Sequence, residues 1–189
     1  MRAVVLAGPS AVEVADVPDP VRREPTDAIV RVTRSAICGS DLHFLHGKTP
    51  TSPGEVLGHE AVGVVEEAGD AVESFTVGDR VVVSFAVACG SCWFCSRGAT
   101  NLCEHAAVFG AGPFGGDLPG TQAELVRVPW ADVNLLAVPE GVEDDRAVFV
   151  GDVLTTGYHA ASLAGSGTDD VVAVFGAGPL GWCTAASLR

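Results

Sequence analysis

Four of the six cysteines in this chain of 189 residues lie in one short stretch, CGSCWFCSRGATNLC. The spacing C-x2-C-x2-C-x7-C places four thiolates on one glycine-containing loop, as a tetrahedral structural zinc requires. An iron–sulfur ligand set also begins C-x2-C-x2-C, but its fourth cysteine follows after about three residues and precedes proline, whereas Glu104 follows here. A zinc ion held by four sulfurs has no open coordination position, so the site is predicted to be structural. Its ligands are Cys89, Cys92, Cys95 and Cys103.

The composition indicates that these cysteines are not needed as disulfides. Hydrophobic residues make up 48% of the chain, enough to bury a core without covalent cross-links. The formal net charge of −13 repels nucleic-acid phosphates and anionic lipids, so neither is expected as a partner. No apolar run reaches transmembrane length, and MRAVVLAGPS lacks the apolar region of a signal peptide. We expect a cytoplasmic protein, in which clustered cysteines hold metal rather than pair with each other.

The sequence divides into a long β-rich part and a shorter part of mixed pattern. From Arg2 to about Val138, short β-type runs separated by Gly, Pro and Asp predict a compact antiparallel or barrel-like domain. The runs are RAVVLA, AVEVADV, AIVRVTRSA, AVGVVEEAG, DRVVVSF, AELVRVP and VNLLAVP. Apolar residues at helical spacing then predict one or two helices from about Glu143 to Leu163. The apolar run VVAVF, residues 171–175, is typical of a buried parallel strand.

A glycine-rich motif follows that apolar run directly. Gly176, Gly178 and Gly181 form G-x-G-x-x-G between the predicted strand and a predicted helix. Glycines in this context permit a tight turn and close approach of the backbone to a pyrophosphate at the helix N-terminus. The motif therefore indicates dinucleotide binding, the alternative being a glycine-rich turn between packed elements. The residue that distinguishes NAD from NADP lies about 20 residues further on, so that choice stays open.

A second group of metal-ligand residue types is more scattered. SAICGSDLH places Cys38 at the end of a predicted strand, and GHEAVGVV places His59 and Glu60 before another. A catalytic zinc needs three protein ligands and one open position. On their own, however, a single cysteine after a strand is usually a small buried hydrophobic residue, and a single histidine is usually structural.

Three motifs in the same order resemble the zinc-dependent medium-chain alcohol dehydrogenases: GHEAVGVVEEAG, CGSCWFCSRGATNLC and VFGAGPLG. The segment TQAELVRVPWADVNLLAVPEGV further resembles their formaldehyde dehydrogenase-like branch. The resemblance implies a mainly β, GroES-like catalytic domain, a distorted β-barrel, over residues 1–150, with a structural-zinc lobe at 86–105. It implies a linker helix and the first β–α element of an α/β Rossmann domain over residues 151–189.

The same resemblance implies an activity. The family transfers a hydride between an alcohol or aldehyde and NAD or NADP, uses one catalytic and one structural zinc ion per chain, and forms homo-oligomers, dimers or tetramers. Cys38 and His59 match its catalytic zinc ligands, and Asp152 falls where the family places the third ligand. Glu60 is the alternative third ligand, or lies behind the metal. A Cys–His–Asp set would leave the site formally neutral, because one thiolate and one carboxylate balance Zn²⁺.

Further residues acquire roles from the resemblance. Ser40 and His43 match a proton relay from the substrate to solvent; the alternative is that Ser40 caps a helix beginning at Asp41 and that His43 is a surface residue. Thr156 matches a position beside the nicotinamide.

The position of the glycine motif leads to one more expectation. Only eight residues follow Gly181, so the sequence is interpreted as the front part of a longer enzyme with little dehydrogenase activity alone. The competing hypothesis is a non-catalytic, zinc-holding GroES-like module, or one piece of a split enzyme.

Overall fold

The structure, a computed structural model, describes residues 1–116 and 118–188. The strands in these ranges are β1 (Arg2–Gly8), β2 (Ala11–Asp16), β3 (Ala28–Ala36), β4 (Glu60–Ala68), β5 (Arg80–Val83), β6 (Ala86–Val87), β7 (Ala107–Val108), β8 (Leu125–Val128) and β9 (Leu135–Ala137). The helices are α1 (Asp41–Leu45), α2 (Ala131–Asn134), α3 (Asp144–Ala147), α4 (Val153–Ala164) and α5 (Pro179–Ser187). Short 3-10 turns lie at Cys95–Arg97, Thr100–Leu102, Gly112–Gly115 and Val148–Gly151.

The central sheet contains five antiparallel strands in the order β8-β3-β4-β5-β9. β-branched residues fill its core, since they pack well on a pleated surface: Val30, Val81 and Val128 are all fully buried, as is Phe109 from the loop that follows β7. The first two strands form a separate antiparallel hairpin, β1–β2. Every run that the sequence predicts as a strand within the β-rich part is confirmed, and only the two-residue strands β6 and β7 were not expected.

Two predicted features differ from the structure. The described strands form an open sheet rather than a closed barrel, because β8 and β9 are each paired on one side only. The apolar run 171–175 forms no strand: Val171 and Phe175 are 99% and 97% exposed. A strand requires a neighbour that completes its hydrogen-bond ladder, and within 1–116 and 118–188 no segment pairs with this run.

The predicted helical segment from Glu143 to Leu163 is confirmed, as α3, a 3-10 turn and α4. α4 packs against α5, and the two are in close contact at Gly157, where a Cβ atom would lie 2.7 Å from the Cβ of Cys183. The acidic first turn of α3 is held to the sheet because the Asp144 carboxylate accepts hydrogen bonds from Thr33 Oγ1 and from Arg80. None of the helices in the described ranges is long and apolar enough to cross a membrane.

Candidate metal centres

The four clustered cysteines converge on one point. Their Sγ atoms all lie within 4.8 Å of one another, and the Sγ atoms of Cys92 and Cys103 are 3.9 Å apart. Tetrahedral zinc with Zn–S bonds of about 2.3 Å requires neighbouring sulfurs to be about 3.8 Å apart. None of the six cysteines forms a disulfide. The donor set and its spacing therefore fit a structural zinc ion.

Backbone amides of the same loop point at these sulfurs. Cys92 N donates to Cys89 Sγ at 3.3 Å, and Cys89 N and His105 N donate to Cys103 Sγ at 3.2 and 3.3 Å. The amides of Ser91 and Cys92 lower the pKa of the Cys89 thiol to about 6. Amide donors thus stabilise the thiolate of Cys89, the form that binds metal, whereas burial and the neighbouring sulfurs raise the pKa of Cys95 to about 12. A metal ion at the centre of the cluster would favour the thiolate form of all four cysteines.

The second centre is assembled by the pairing of β3 with β4. Ala36 at the end of β3 pairs with Glu60 at the start of β4, so the residues just beyond these ends, Cys38 and His59, become neighbours. The third residue, Asp152, lies at the start of α4, directly after the 3-10 turn that packs against β4. Antiparallel register thus brings together residues that are far apart in sequence.

The ligand atoms of these three residues lie within 4.8 Å of one another. Asp152 Oδ2 is 3.3 Å from His59 Nε2 and 3.8 Å from Cys38 Sγ. His59 is buried, whereas Cys38 and Asp152 are half-buried, so the Cys38 and Asp152 side of the cluster is partly accessible to solvent. Thiolate, imidazole and carboxylate are ordinary zinc ligands, and the arrangement has the open face that a catalytic zinc requires.

The neighbours of His59 favour a positive charge on or beside its ring. Its Nδ1 atom faces Asp41 Oδ1 at 3.4 Å, and each of these two buried atoms lacks a hydrogen-bond partner of good geometry among the described residues. Burial lowers the pKa of His59, but interactions with Asp152, Asp41 and Cys38 outweigh it and raise the pKa to about 12. The His59 interaction is also the main cause of a lowered pKa at the Cys38 thiol.

Asp41 is held in turn by two donors. Its Oδ2 atom accepts hydrogen bonds from Cys38 N at 2.9 Å and from Gln122 Nε2 at 3.4 Å. Gln122 Nε2 also lies 3.3 Å from the carbonyl oxygen of Ala36, so this one side chain ties Asp41 to the end of β3. Sequence reasoning missed Gln122, because nothing in its local pattern separates it from an ordinary polar residue before a strand.

Glu60 does not join the cluster. It is 2% exposed, and its Oε1 atom accepts a hydrogen bond from Val153 N, the first amide of α4, at 3.3 Å. Burial and the neighbouring charge of Asp152 raise the pKa of Glu60. The structure thus places Asp152, and not Glu60, beside Cys38 and His59, while Glu60 lies behind Asp152.

The two predicted relay residues occupy different positions. Ser40 Oγ is 3.3 Å from His59 Nε2. Ser40 precedes α1, but its side chain makes no capping hydrogen bond, so the hydroxyl is directed at the cluster instead. His43 lies on α1 with an exposed side chain, and in the described ranges no side-chain hydrogen bond connects it to Ser40. The structure therefore brings Ser40, but not His43, to the cluster.

The residues predicted to contact a dinucleotide lie at α4 and α5. Thr156 is exposed on the first turn of α4, where its Oγ1 donates to Asp152 Oδ1 at 3.0 Å. Gly176 has φ +107°, a conformation that favours glycine. A Cβ atom on Gly181 would overlap the Gly176 carbonyl oxygen, whereas one on Gly178 would meet nothing within 4 Å. The loop therefore needs Gly176 and Gly181 for its own conformation, but not Gly178.

Comparisons with known proteins identify the family. The family model described as "Alcohol dehydrogenase GroES-like domain" matches residues 24–140. A zinc-type alcohol dehydrogenase-like protein of Schizosaccharomyces pombe is 41% identical, and the alignment covers 96% of this chain and 47% of that protein. A glutathione-independent formaldehyde dehydrogenase of Pseudomonas aeruginosa is 42% identical, with 100% and 51% covered. The solved structure of alcohol dehydrogenase TADH from Thermus sp. ATN1 aligns with a TM-score of 0.94 at 48% identity, covering 97% of this chain and 53% of that one.

The chain spans about half the length of these relatives. Its open sheet and helices have the fold of the corresponding half of a solved alcohol dehydrogenase, and the matched residues 24–140 include Cys38, His59 and the cysteine lobe. The chain belongs to the zinc-type alcohol dehydrogenase family, with the GroES-like domain as its main part.

Proposed function

We propose that this chain carries the zinc- and substrate-binding part of an oxidoreductase that transfers a hydride between an alcohol or aldehyde and NAD or NADP. The observation that carries the proposal is the convergence of Cys38, His59 and Asp152, within 4.8 Å, at a site open on one side. Residues 1–150 form the catalytic domain in this proposal, and residues 151–189 the linker helix and start of the cofactor domain. The family resemblance extends the proposal to a homo-oligomer.

The donor sets support two zinc sites of different kinds. Cys38, His59 and Asp152 would hold a catalytic zinc in a formally neutral set, and the four-cysteine lobe a structural one. When bound at the open site, zinc supplies Lewis acidity toward a substrate oxygen. Asp41 lies on the Nδ1 side of the His59 ring, 3.4 Å away, so Nε2 is the nitrogen presented to the open side.

Ser40 is the group best placed to take the substrate proton. Its hydroxyl is half-buried and 3.3 Å from His59 Nε2, so a substrate oxygen bound at the open face would lie within its reach. A hydroxyl can accept a proton while passing on its own. His43, exposed on the adjacent helix, is the proposed outlet to solvent, and its link to Ser40 would have to be made by another group.

The descriptions of the relatives support a small alcohol or aldehyde substrate but do not single out one compound. Proteins described as zinc-type alcohol dehydrogenases and as a formaldehyde dehydrogenase match this chain at 41% and 42% identity. Because the two sequence identities are nearly equal, we propose a small alcohol or aldehyde as the substrate class and do not assign the chain to either branch of the family.

Metal analysis of the purified protein tests the proposal. We expect two zinc ions per chain, and one after Cys38→Ser, because the mutation removes a ligand of the open site alone. Cys183→Ser is the matched control, since Cys183 belongs to neither cluster, and it is expected to retain both ions. A single zinc in the wild-type protein would favour the non-catalytic zinc-holding module, and bound iron would contradict both hypotheses.

The loop of the G-x-G-x-x-G motif, residues 176–181, supports the proposal that the enzyme binds NAD or NADP. Gly178 has open space around its Cα atom, so no contact within the described chain requires glycine there. A close approach of pyrophosphate to the backbone would require it, because a Cβ atom would fill that space. The N-terminus of α5, which follows Gly178, would add amide donors and a favourable dipole.

Two alanine substitutions separate these roles. In the complete oxidoreductase of this proposal, Gly178→Ala is expected to weaken NADH or NADPH binding about tenfold, because a Cβ atom there would overpack the nucleotide complex at a cost of about 1–3 kcal/mol, and to leave the stability of the unbound protein unchanged. Gly181→Ala is expected to lower stability by about 1–3 kcal/mol, because its Cβ atom overlaps the Gly176 carbonyl oxygen. Fluorescence titration and urea denaturation measure the two effects. If Gly178→Ala bound the nucleotide as tightly as the wild-type protein, the open space at Gly178 would no longer support pyrophosphate binding at this loop.

A further inference from the structure

The Asp152 carboxylate lies at the N-terminus of a helix but does not cap it. Asp152 is the N-cap residue of α4, where an aspartate commonly accepts hydrogen bonds from the first free amides of the helix. Its side chain makes no such capping bond here. Val153 N, the first of those amides, donates instead to Glu60 Oε1 at 3.3 Å. The buried Glu60 thus satisfies the first free amide of α4, and the Asp152 carboxylate, which bonds to none of the later amides that an N-cap side chain usually accepts, remains available.

The two oxygens of that carboxylate have different partners. Oδ1 accepts a hydrogen bond from Thr156 Oγ1 at 3.0 Å. Oδ2 faces His59 Nε2 at 3.3 Å and Cys38 Sγ at 3.8 Å. Since the terminal torsion of aspartate is broad, the carboxylate has no strong intrinsic preference for this orientation. Thr156 holds Oδ1 on the helix side and so directs Oδ2 toward the cluster.

The neighbouring threonine hydroxyl has a different acceptor. Threonine hydroxyls in helices commonly bond to a backbone carbonyl of the preceding turn. Thr155 does this, because its Oγ1 donates to the Asp152 carbonyl oxygen at 2.7 Å. Thr156 makes the same backbone N–H bond to that carbonyl as any helical residue would, at 2.9 Å, but its hydroxyl goes to the carboxylate.

We propose that Thr156 is a positioning residue for the metal site: its hydroxyl occupies Asp152 Oδ1 and reserves Oδ2 as the single ligand oxygen. The inference rests on the proposed function, since it presupposes a metal ion at Cys38, His59 and Asp152. Without the hydroxyl, Asp152 is free to turn toward the uncapped amides of α4 or to present either oxygen. Metal affinity at this site then falls, because hydrogen-bond partners of metal ligands fix their orientation.

Cobalt binding tests the inference without substrate or nucleotide. Thr156→Val removes the hydroxyl at nearly constant shape, Thr156→Ser keeps it, and Thr155→Val is the matched control on the same helical turn. Chelator competition gives the Co²⁺ dissociation constant of the site that is lost in Cys38→Ser, and visible absorption reports its geometry. We expect Thr156→Val to weaken binding about tenfold and to change the spectrum. Thr156→Ser is expected to stay close to wild type, and Thr155→Val to leave both readouts unchanged.

The possible results separate this inference from the proposed function. If the wild-type protein binds cobalt only at the cysteine lobe, the proposed function fails and this inference fails with it. If the wild-type protein binds metal at both sites but Thr156→Val matches it in affinity and spectrum, only the positioning role is wrong. An equal loss in Thr155→Val would also overturn it, because the effect would then belong to the helix end and not to the hydroxyl.

Discussion

Replacing Cys103 with serine is expected to reduce bound zinc from two ions to one per chain and to lower the thermal unfolding midpoint by about 10 °C. The lobe has almost no apolar core to replace the metal. Its buried cluster consists of Ala88 and three of the four cysteines, with Cys92 and Trp130 packed against it. Its regular structure is limited to the two-residue strand β6 and two 3-10 turns of three residues each.

The size of this effect follows from the loop that the metal closes. A cross-link over about 15 residues contributes roughly 3 kcal/mol by restricting the unfolded chain. For a protein of this length, 1 kcal/mol corresponds to about 2–4 °C in the midpoint. Calorimetry and metal analysis measure the two quantities, and hydrogen exchange is expected to show faster exchange in residues 88–105 than elsewhere.

Cys183→Ser again provides the control, because it makes the same chemical change outside both clusters. It is expected to keep both zinc ions and a midpoint close to wild type. If Cys103→Ser also kept two ions and its midpoint, the four-cysteine cluster would not be a zinc site. A variant that lost the ion but unfolded at the wild-type temperature would show that the metal does not stabilise the lobe.

Seven of the nine strands in the described ranges could be predicted because each coincides with a local β-type run bounded by turn-forming residues, whereas the two-residue strands β6 and β7 are too short to leave such a pattern. The failure at residues 171–175 has a physical cause: local apolarity favours a strand, but a strand exists only with a hydrogen-bonded neighbour, which no local pattern supplies. The same limit applies to the open sheet. Closure into a barrel depends on how the edge strands β8 and β9 are placed, and their sequences do not encode that directly.

The two candidate sites differ in how far their ligands can be predicted from sequence. The four-cysteine cluster is local, so its spacing alone predicts convergence. Cys38 and His59 converge only through the register of β3 against β4, which their separation in sequence does not reveal. The choice between Asp152 and Glu60 is made by the tertiary structure, in which the start of α4 brings Asp152 to the cluster and Glu60 bonds to Val153 N. The roles of all these residues as ligands stay predictions until metal is measured.

The other large effect is expected at the start of β3, in residues that belong to neither ligand set. Arg127→Met is expected to lower the free energy of unfolding by about 3–5 kcal/mol, because it leaves the Asp27 carboxylate buried without its cation. Asp27 is 1% exposed, and its Oδ2 atom accepts from Arg127 Nη1 at 2.9 Å and from the amides of Arg23 and Glu24. Its Oδ1 atom has no hydrogen-bond partner among the described residues. Urea denaturation of the zinc-loaded protein measures the loss.

A second pair on the same sheet is the matched control. Arg31 and Glu66 form an ion pair of 3.1 Å in which both side chains are about half exposed. Solvent screens such a pair, so Arg31→Met is expected to cost less than about 1 kcal/mol. The contrast isolates burial as the variable, because both arginines extend from strands of the central sheet and both lose the same charged group.

The Asp27→Asn/Arg127→Met double variant distinguishes charge from packing. If the cost of Arg127→Met comes from the uncompensated carboxylate, adding Asp27→Asn removes that charge, keeps an acceptor for the amides of Arg23 and Glu24, and restores part of the stability. If the cost comes from lost packing of the arginine side chain, the double variant is no more stable than Arg127→Met. Zinc content is expected to be unchanged in all these variants, because Asp27 and Arg127 belong to neither ligand set. Loss of metal from Arg127→Met would mean that the start of β3 controls the metal site beyond the other end of that strand.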